Sequence, residues 1–132
     1  MENIRVFVQN HKKSSWLVLI GYLIFCGCFV FPLSNERGSF DFEKVCMIIV
    51  SYGILSILFS SLLSSNKTIH VYSISLLFTT VGMILRYIME YGEYSNTVNF
   101  TQINIIMYLG IIPLFCTLIY WIIWKLESTT LK

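Results

Sequence analysis

Residues 69–91 read "IHVYSISLLFTTVGMILRYIMEY", a stretch that is apolar apart from a few small polar residues and two charges near its end. A helix rises about 1.5 Å per residue, so a helix of this length would cross a hydrocarbon core roughly 30 Å thick. The two charges, Arg86 and Glu90, lie one helical turn apart. The stretch therefore predicts a membrane-spanning helix that carries a polar face.

The rest of the chain has the same apolar character. Of its 132 residues, 56% are hydrophobic and only 12% are charged, whereas soluble domains carry about 25% charged residues. Lipid cannot hydrogen-bond to exposed backbone, so each long apolar run must be helical. The sequence predicts an all-α integral membrane protein with four transmembrane helices, at Trp16 to Leu33, Val45 to Leu63, Ile69 to Tyr91 and Ile103 to Trp124.

The distribution of positive charge predicts the orientation of these helices. Cytoplasmic loops of membrane proteins carry an excess of Lys and Arg. One side of the predicted bundle has most of these residues, while Arg37 and Lys44 are on the other: Arg5, Lys12, Lys13, Lys67, Lys125 and Lys132. Both termini are therefore expected in the cytoplasm. The small size and the lack of targeting features favour the bacterial inner (cytoplasmic) membrane, with a multi-pass topology.

The chain has room for a single four-helix transmembrane domain, residues 1–132, preceded by a basic N-terminal tail, residues 1–15. The segment between the second and third helices, Ser64 to Thr68, is only five residues long. Short connections are typical of adjacent antiparallel helices. We therefore expect the second and third transmembrane helices to form a tight hairpin.

The N-terminal tail has two possible structures. Ile4, Phe7 and Val8 would share one face of a helix, with Arg5 and Gln9 away from it, as in helices that lie in the membrane interface. A frayed basic tail is the alternative, because chain ends are often poorly ordered. The basic residues of the predicted cytoplasmic side are candidates for contact with anionic lipid or a cytoplasmic partner, namely Arg5, Lys12, Lys13, Lys67 and Lys125.

The second helix carries small residues on one side, which we call the packing seam: Gly53, Ser56, Ser60 and Ser64. They fall within about 80° of one another on a helix. Small residues let helix backbones approach closely within a membrane. With further small or polar faces on the other helices, this pattern predicts a homo-oligomer that assembles through the second or third helix.

The third helix carries what we call the polar stripe: Ser75, Thr79, Gly82, Arg86 and Glu90. These residues also fall within roughly 80° of one another. Polar side chains are costly in contact with lipid. The stripe is therefore expected to face other helices, another subunit or water.

Arg86 and Glu90 have two interpretations. Arg86 lies about 26 Å along a core roughly 30 Å thick, so its side chain can reach the headgroups. The pair would then be an interface anchor, joined as an i,i+4 ion pair worth only tenths of a kcal/mol. The functional interpretation places the pair at a subunit contact or in an outward-facing vestibule.

The pattern of reactive residues does not indicate an enzyme, a metal site or a cofactor. Cys26 and Cys28 would point about 200° apart on a helix, and membrane thiol oxidoreductases use a Cys-x-x-Cys pair that this chain lacks. His11 and His70 have no carboxylate or thiol at the spacing of metal ligands. The net charge of +2 is too small to indicate direct binding to nucleic acid.

In architecture and general sequence character the chain resembles the membrane subunit of the bacterial Kiwa anti-phage system, a small four-helix protein with both ends inside and little outside the bilayer. The resemblance rests on no motif, so it transfers no functional residue to this chain. It implies a homo-oligomeric membrane sensor that detects phage attachment or membrane disturbance. Such a sensor would pass the signal to a soluble DNA-binding partner.

Three functions remain open. The one we favour is a non-enzymatic subunit that senses a membrane event and recruits or regulates a cytoplasmic protein, in contact with membrane lipids and with further copies of itself. The second is a small transporter or flippase that uses the polar stripe as its path. The third is a pore-forming membrane effector in which several copies line a channel. The fold alone does not decide among them.

Overall fold

The structure is a computed structural model that describes residues 2–33, 41–63 and 66–130. Regular structure in these ranges is entirely helical, which confirms the predicted all-α fold. The six helices are α1 (Glu2–Asn10), α2 (Lys12–Phe29), α3 (Phe42–Leu62), α4 (Thr68–Met89), α5 (Tyr94–Asn99) and α6 (Gln102–Thr130). Four of them, α2, α3, α4 and α6, are long and apolar enough to cross a membrane.

The helix bounds differ from the predicted ones at several ends: α2 ends at Phe29 rather than Leu33, and α6 continues to Thr130 rather than ending at Trp124. Of the two structures considered for the N-terminal tail, the helix is confirmed, because residues 1–15 contain α1 and the first residues of α2. The segment between the predicted third and fourth helices contains the short helix α5, which was not predicted. Gly92, with φ of 86°, lies between α4 and α5 in a conformation that residues with a side chain rarely adopt.

The four long helices form a ring in the order α2, α4, α6, α3, with α3 packed back against α2. The predicted tight hairpin of α3 and α4 is therefore wrong. These two helices are consecutive in the sequence but lie diagonally across the bundle. Tyr52 of α3 reaches across, and its hydroxyl lies 3.5 Å from Oγ1 of Thr79 in α4.

The contact between α2 and α4 explains this order. Gly27 and Gly82 face each other so closely that a Cβ added to Gly82 would lie 2.9 Å from Cα of Gly27 and closer still to the carbonyl oxygen of Ile24. Only residues without a side chain allow this separation of the two backbones. The neighbour of α4 is therefore α2, which runs parallel to it. In the predicted hairpin that neighbour would have been α3.

The interior of the ring combines apolar packing with hydrogen bonds between helices. Leu19, Leu23, Leu55 and Phe59 are fully buried. The hydroxyl of Tyr108 donates to the carbonyl oxygen of Cys26 at 3.0 Å. Hydrogen bonds of this kind join helices where no water is available.

Substitutions at the α2–α4 contact should destabilise the bundle. We expect Gly82→Ala to lower the free energy of unfolding by about 1–3 kcal/mol, because the added methyl group overlaps backbone that cannot move away. Gly21→Ala is the matched control, since a Cβ at Gly21 meets nothing within 4 Å. Unfolding of both variants in detergent micelles measures the effect. Equal stability of the two variants would contradict the close α2–α4 contact.

Candidate functional site

The polar stripe faces the other helices of the same chain. Ser75 and Thr79 are fully buried, and Gly82 contacts the backbone of α2. The side chains of Arg86 and Glu90 are each 19% exposed. Of the three surroundings predicted for the stripe, the structure therefore shows contact with neighbouring helices.

Arg86 joins α4 to the end of α2. Its guanidinium forms an ion pair with Glu90, with Nη2 2.8 Å from Oε1, so the predicted i,i+4 pair is confirmed. Nη1 donates to the carbonyl oxygen of Cys28 at 3.2 Å and also to that of Phe31. The last carbonyl groups of a helix have no partner within it. Arg86 therefore supplies donors to the C-terminal end of α2.

Glu90 extends these contacts to α5. Its second carboxylate oxygen accepts a hydrogen bond from Nδ2 of Asn99 at 3.2 Å. Asn96, also in α5, donates to the carbonyl oxygen of Tyr87 at 3.0 Å. We call Arg86, Glu90, Asn99 and the carbonyl groups of Cys28 and Phe31 the Arg86 cluster, and this end of the bundle the Arg86 end.

The Arg86 cluster contains the ion pair of the anchor interpretation and adds contacts that neither sequence interpretation included, while a subunit contact or a vestibule at this pair stays a prediction. An interface anchor would pair with headgroups and its own helix, whereas this arginine also binds the carbonyl oxygens of Cys28 in α2 and of Phe31 just beyond the end of α2. Sequence reasoning missed these acceptors because every residue has a backbone carbonyl group, so the residue types do not indicate which carbonyl binds Arg86. It missed Asn99 because α5 was not predicted.

The opposite end of the bundle holds α1. Arg5 Nη2 lies 2.7 Å from Oε2 of Glu127 and donates to the carbonyl oxygen of Ser60 at 3.1 Å. Gln9 Nε2 donates to the carbonyl oxygens of Ser61 at 2.8 Å and Leu62 at 3.3 Å. We call these six groups the Arg5 cluster and this end the Arg5 end. Since Arg5 meets Glu127, α1 and the last turns of α6 lie at the same end.

The basic residues proposed for partner or lipid contact differ in their contacts and in their exposure. Arg5, which the sequence interpretation placed away from the apolar face of an interfacial helix, binds α3 and α6 and so stabilises the fold. Lys12, Lys13 and Lys67 are exposed. Lys125 is also exposed, and its Nζ lies 4.9 Å from the centre of the Trp121 ring.

The packing seam is used largely within the chain. Ser56 is fully buried, and its hydroxyl donates to the carbonyl oxygen of Cys116 in α6 at 3.1 Å. Ser60 is 3% exposed. Gly53 has open space beside it, and Ser64 lies outside the described residues. The seam therefore gives less support to self-association than the sequence suggested, and the homo-oligomer stays a prediction.

The remaining reactive residues lie apart. Cys26, Cys28 and Cys116 are buried, Cys46 is exposed, and all four are free thiols. His11 and His70 are exposed, and His11 packs against Phe7 with ring centres 4.8 Å apart. The grooves that α6 forms with α3 and with α4 are lined by mainly apolar side chains, such as Ile48 and Phe115 in the first and Met83 and Leu109 in the second.

No family model matches the chain, and neither the curated proteins nor the solved structures include a match. The resemblance to the Kiwa membrane subunit therefore remains a prediction.

Arg86→Gln should weaken the bundle much more than a change of charge elsewhere at the same end. The variant loses the donors to Cys28 and Phe31 and leaves Glu90 without its cation, and unpaired groups of this kind cost about 1–3 kcal/mol each. Lys44→Gln is the control, and changes at such surface positions stay within about 0.5 kcal/mol. Unfolding in detergent compares the two. Equal, small losses would show that the Arg86 cluster contributes little to stability.

Proposed function

We propose that this protein is a non-enzymatic membrane subunit that senses a membrane event and regulates a cytoplasmic protein through the Arg5 end of its bundle. The observation that carries the proposal is the placement of polar groups. Several within the spans, among them Tyr52, Ser56 and Tyr108, bind groups of other helices inside the bundle, while exposed basic residues gather with α1 at one end.

The contacts of the polar stripe favour this proposal over transport. A transporter or flippase needs a path with polar groups that a substrate can reach, and a pore needs such groups facing water. Here Thr79 lies beside the Tyr52 hydroxyl, and Gly82 is in close contact with the backbone of α2. Arg86 binds Glu90 and two backbone carbonyl groups. A pore or transport path along the stripe would require these contacts to break.

The Arg5 end has the properties of a surface that meets other molecules. It has exposed lysines at positions 12, 13, 67 and 125. The excess of positive charge favours a cytoplasmic location for this end, in the bacterial inner membrane. In the proposed setting of anti-phage defence, the partner rather than this chain would contact DNA.

Self-association belongs to the proposal as well. Since Ser56 and Ser60 are buried, contact between copies would have to use the outward surfaces of the helices. Gly21 of α2 and Gly110 of α6 are exposed with open space around them, which would let a second copy approach closely.

The proposal is tested by affinity purification of the tagged protein from its own host, followed by native mass analysis. We expect several copies together with a soluble protein, and loss of that protein in the variant Lys67→Gln/Lys125→Gln. The variant Arg37→Gln/Lys44→Gln changes the same charge on the other side of the predicted topology and should keep the partner. Recovery of a monomer that carries only a small molecule would contradict the proposal and favour transport.

A further inference from the structure

Helix α1 is docked on the bundle by one side only. Val8 is 4% exposed and joins the hydrophobic core. Arg5 and Gln9, on the same side, bind the carbonyl groups at the end of α3. These contacts fix both the position of α1 and the direction in which its other side points.

The same contacts set the depth of α1 in a membrane. Helix α3 has 21 residues, which at 1.5 Å each span about 31 Å, close to the thickness of the hydrocarbon core. Its last carbonyl groups, those of Ser60 to Leu62, therefore lie near the boundary between hydrocarbon and headgroups. Since α1 binds these groups directly, it lies at the same boundary, beside the headgroups of the surrounding lipid.

Part of the undocked side of α1 is apolar. Ile4 is 51% exposed and Phe7 is 65% exposed, and residues three apart are neighbours on a helix. Phe7 also packs against the ring of His11. When apolar side chains of this size on a short helix at the membrane boundary enter the headgroup layer, the free energy of the system falls.

The charge beside this apolar side is positive. Lys12 and Lys13 follow α1 directly and are exposed. Among the residues that the structure describes, the Arg5 end has five basic ones, at positions 5, 12, 13, 67 and 125, against two acidic ones, Glu2 and Glu127. Each exposed Lys near an anionic membrane surface strengthens binding about fivefold.

We propose that α1 binds the anionic lipid of the leaflet at the Arg5 end, with Ile4 and Phe7 inserted among the headgroups and with Lys12 and Lys13 on the phosphates. This inference rests on the proposed function, for which it names the segment that touches the lipid. The Arg5 cluster holds α1 on the ends of α3 and α6, so a change in the lipid around α1 acts directly on the bundle.

The test uses the full chain in lipid nanodiscs with a spin label at position 7. The variant Phe7→Cys carries the label, and Cys46→Ser removes the exposed native thiol. Access to dissolved oxygen and to a water-soluble nickel complex distinguishes lipid from water. Val6→Cys is the matched control, because Val6 is 55% exposed but lies about 100° around the helix.

In nanodiscs that contain phosphatidylglycerol, we expect the label at position 7 to be accessible to oxygen and protected from nickel, with the label at position 6 open to nickel. This protection should weaken in purely zwitterionic nanodiscs and in the variant Lys12→Gln/Lys13→Gln. If the label at position 7 is as open to nickel as the label at position 6 in the anionic nanodiscs, the inference is overturned. This side of α1 would then be available to a protein partner. If the protein fails this test but still recovers a soluble partner in the affinity purification, the proposed function stands and only the lipid contact of α1 is wrong.

Discussion

The close contact of Gly27 and Gly82 determines how the bundle is arranged. In a membrane, helices gain little from hiding apolar surface from one another, so backbone proximity and interhelical hydrogen bonds decide which helices pair. The two glycines bring α2 and α4 together along their lengths. That pairing moves α3 to the diagonal position and places Arg86 beside the end of α2. The other contacts at the Arg86 end depend on it.

The two ends of the bundle are stabilised by the same chemistry. At each end an arginine donates to a backbone carbonyl oxygen near the C-terminal end of a neighbouring helix, and a glutamate pairs with the arginine: Arg86 with Glu90, and Arg5 with Glu127. Helix ends carry unpaired carbonyl groups and partial negative charge. In the proposed membrane setting they lie near the edge of the hydrocarbon core, where little water is available to satisfy them. An arginine is well suited to this position because its planar group has several donors.

Sequence reasoning could predict what depends on local pattern. Hydropathy was sufficient for the four long helices, and helical spacing was sufficient to place Ser75, Thr79 and Gly82 on one side of α4. The order of the helices could not be predicted, because loop length favoured a hairpin of α3 and α4 whereas Gly27 acts only together with Gly82. The acceptors of Arg86 and Arg5 were also out of reach, since they are backbone carbonyls of distant segments.

The proposed function depends on where the polar groups lie. Tyr52, Ser56 and Tyr108 join the helices to one another within the spans, whereas α1 and the exposed lysines present groups that lipid and a partner can reach. The most direct test of the underlying arrangement is solid-state NMR of the protein in lipid bilayers with its seven glycines labelled with ¹³C at Cα. The account predicts a cross-peak between Gly27 and Gly82 that disappears in Gly82→Ala. A spectrum without this cross-peak, in which both glycine signals are resolved, would contradict it.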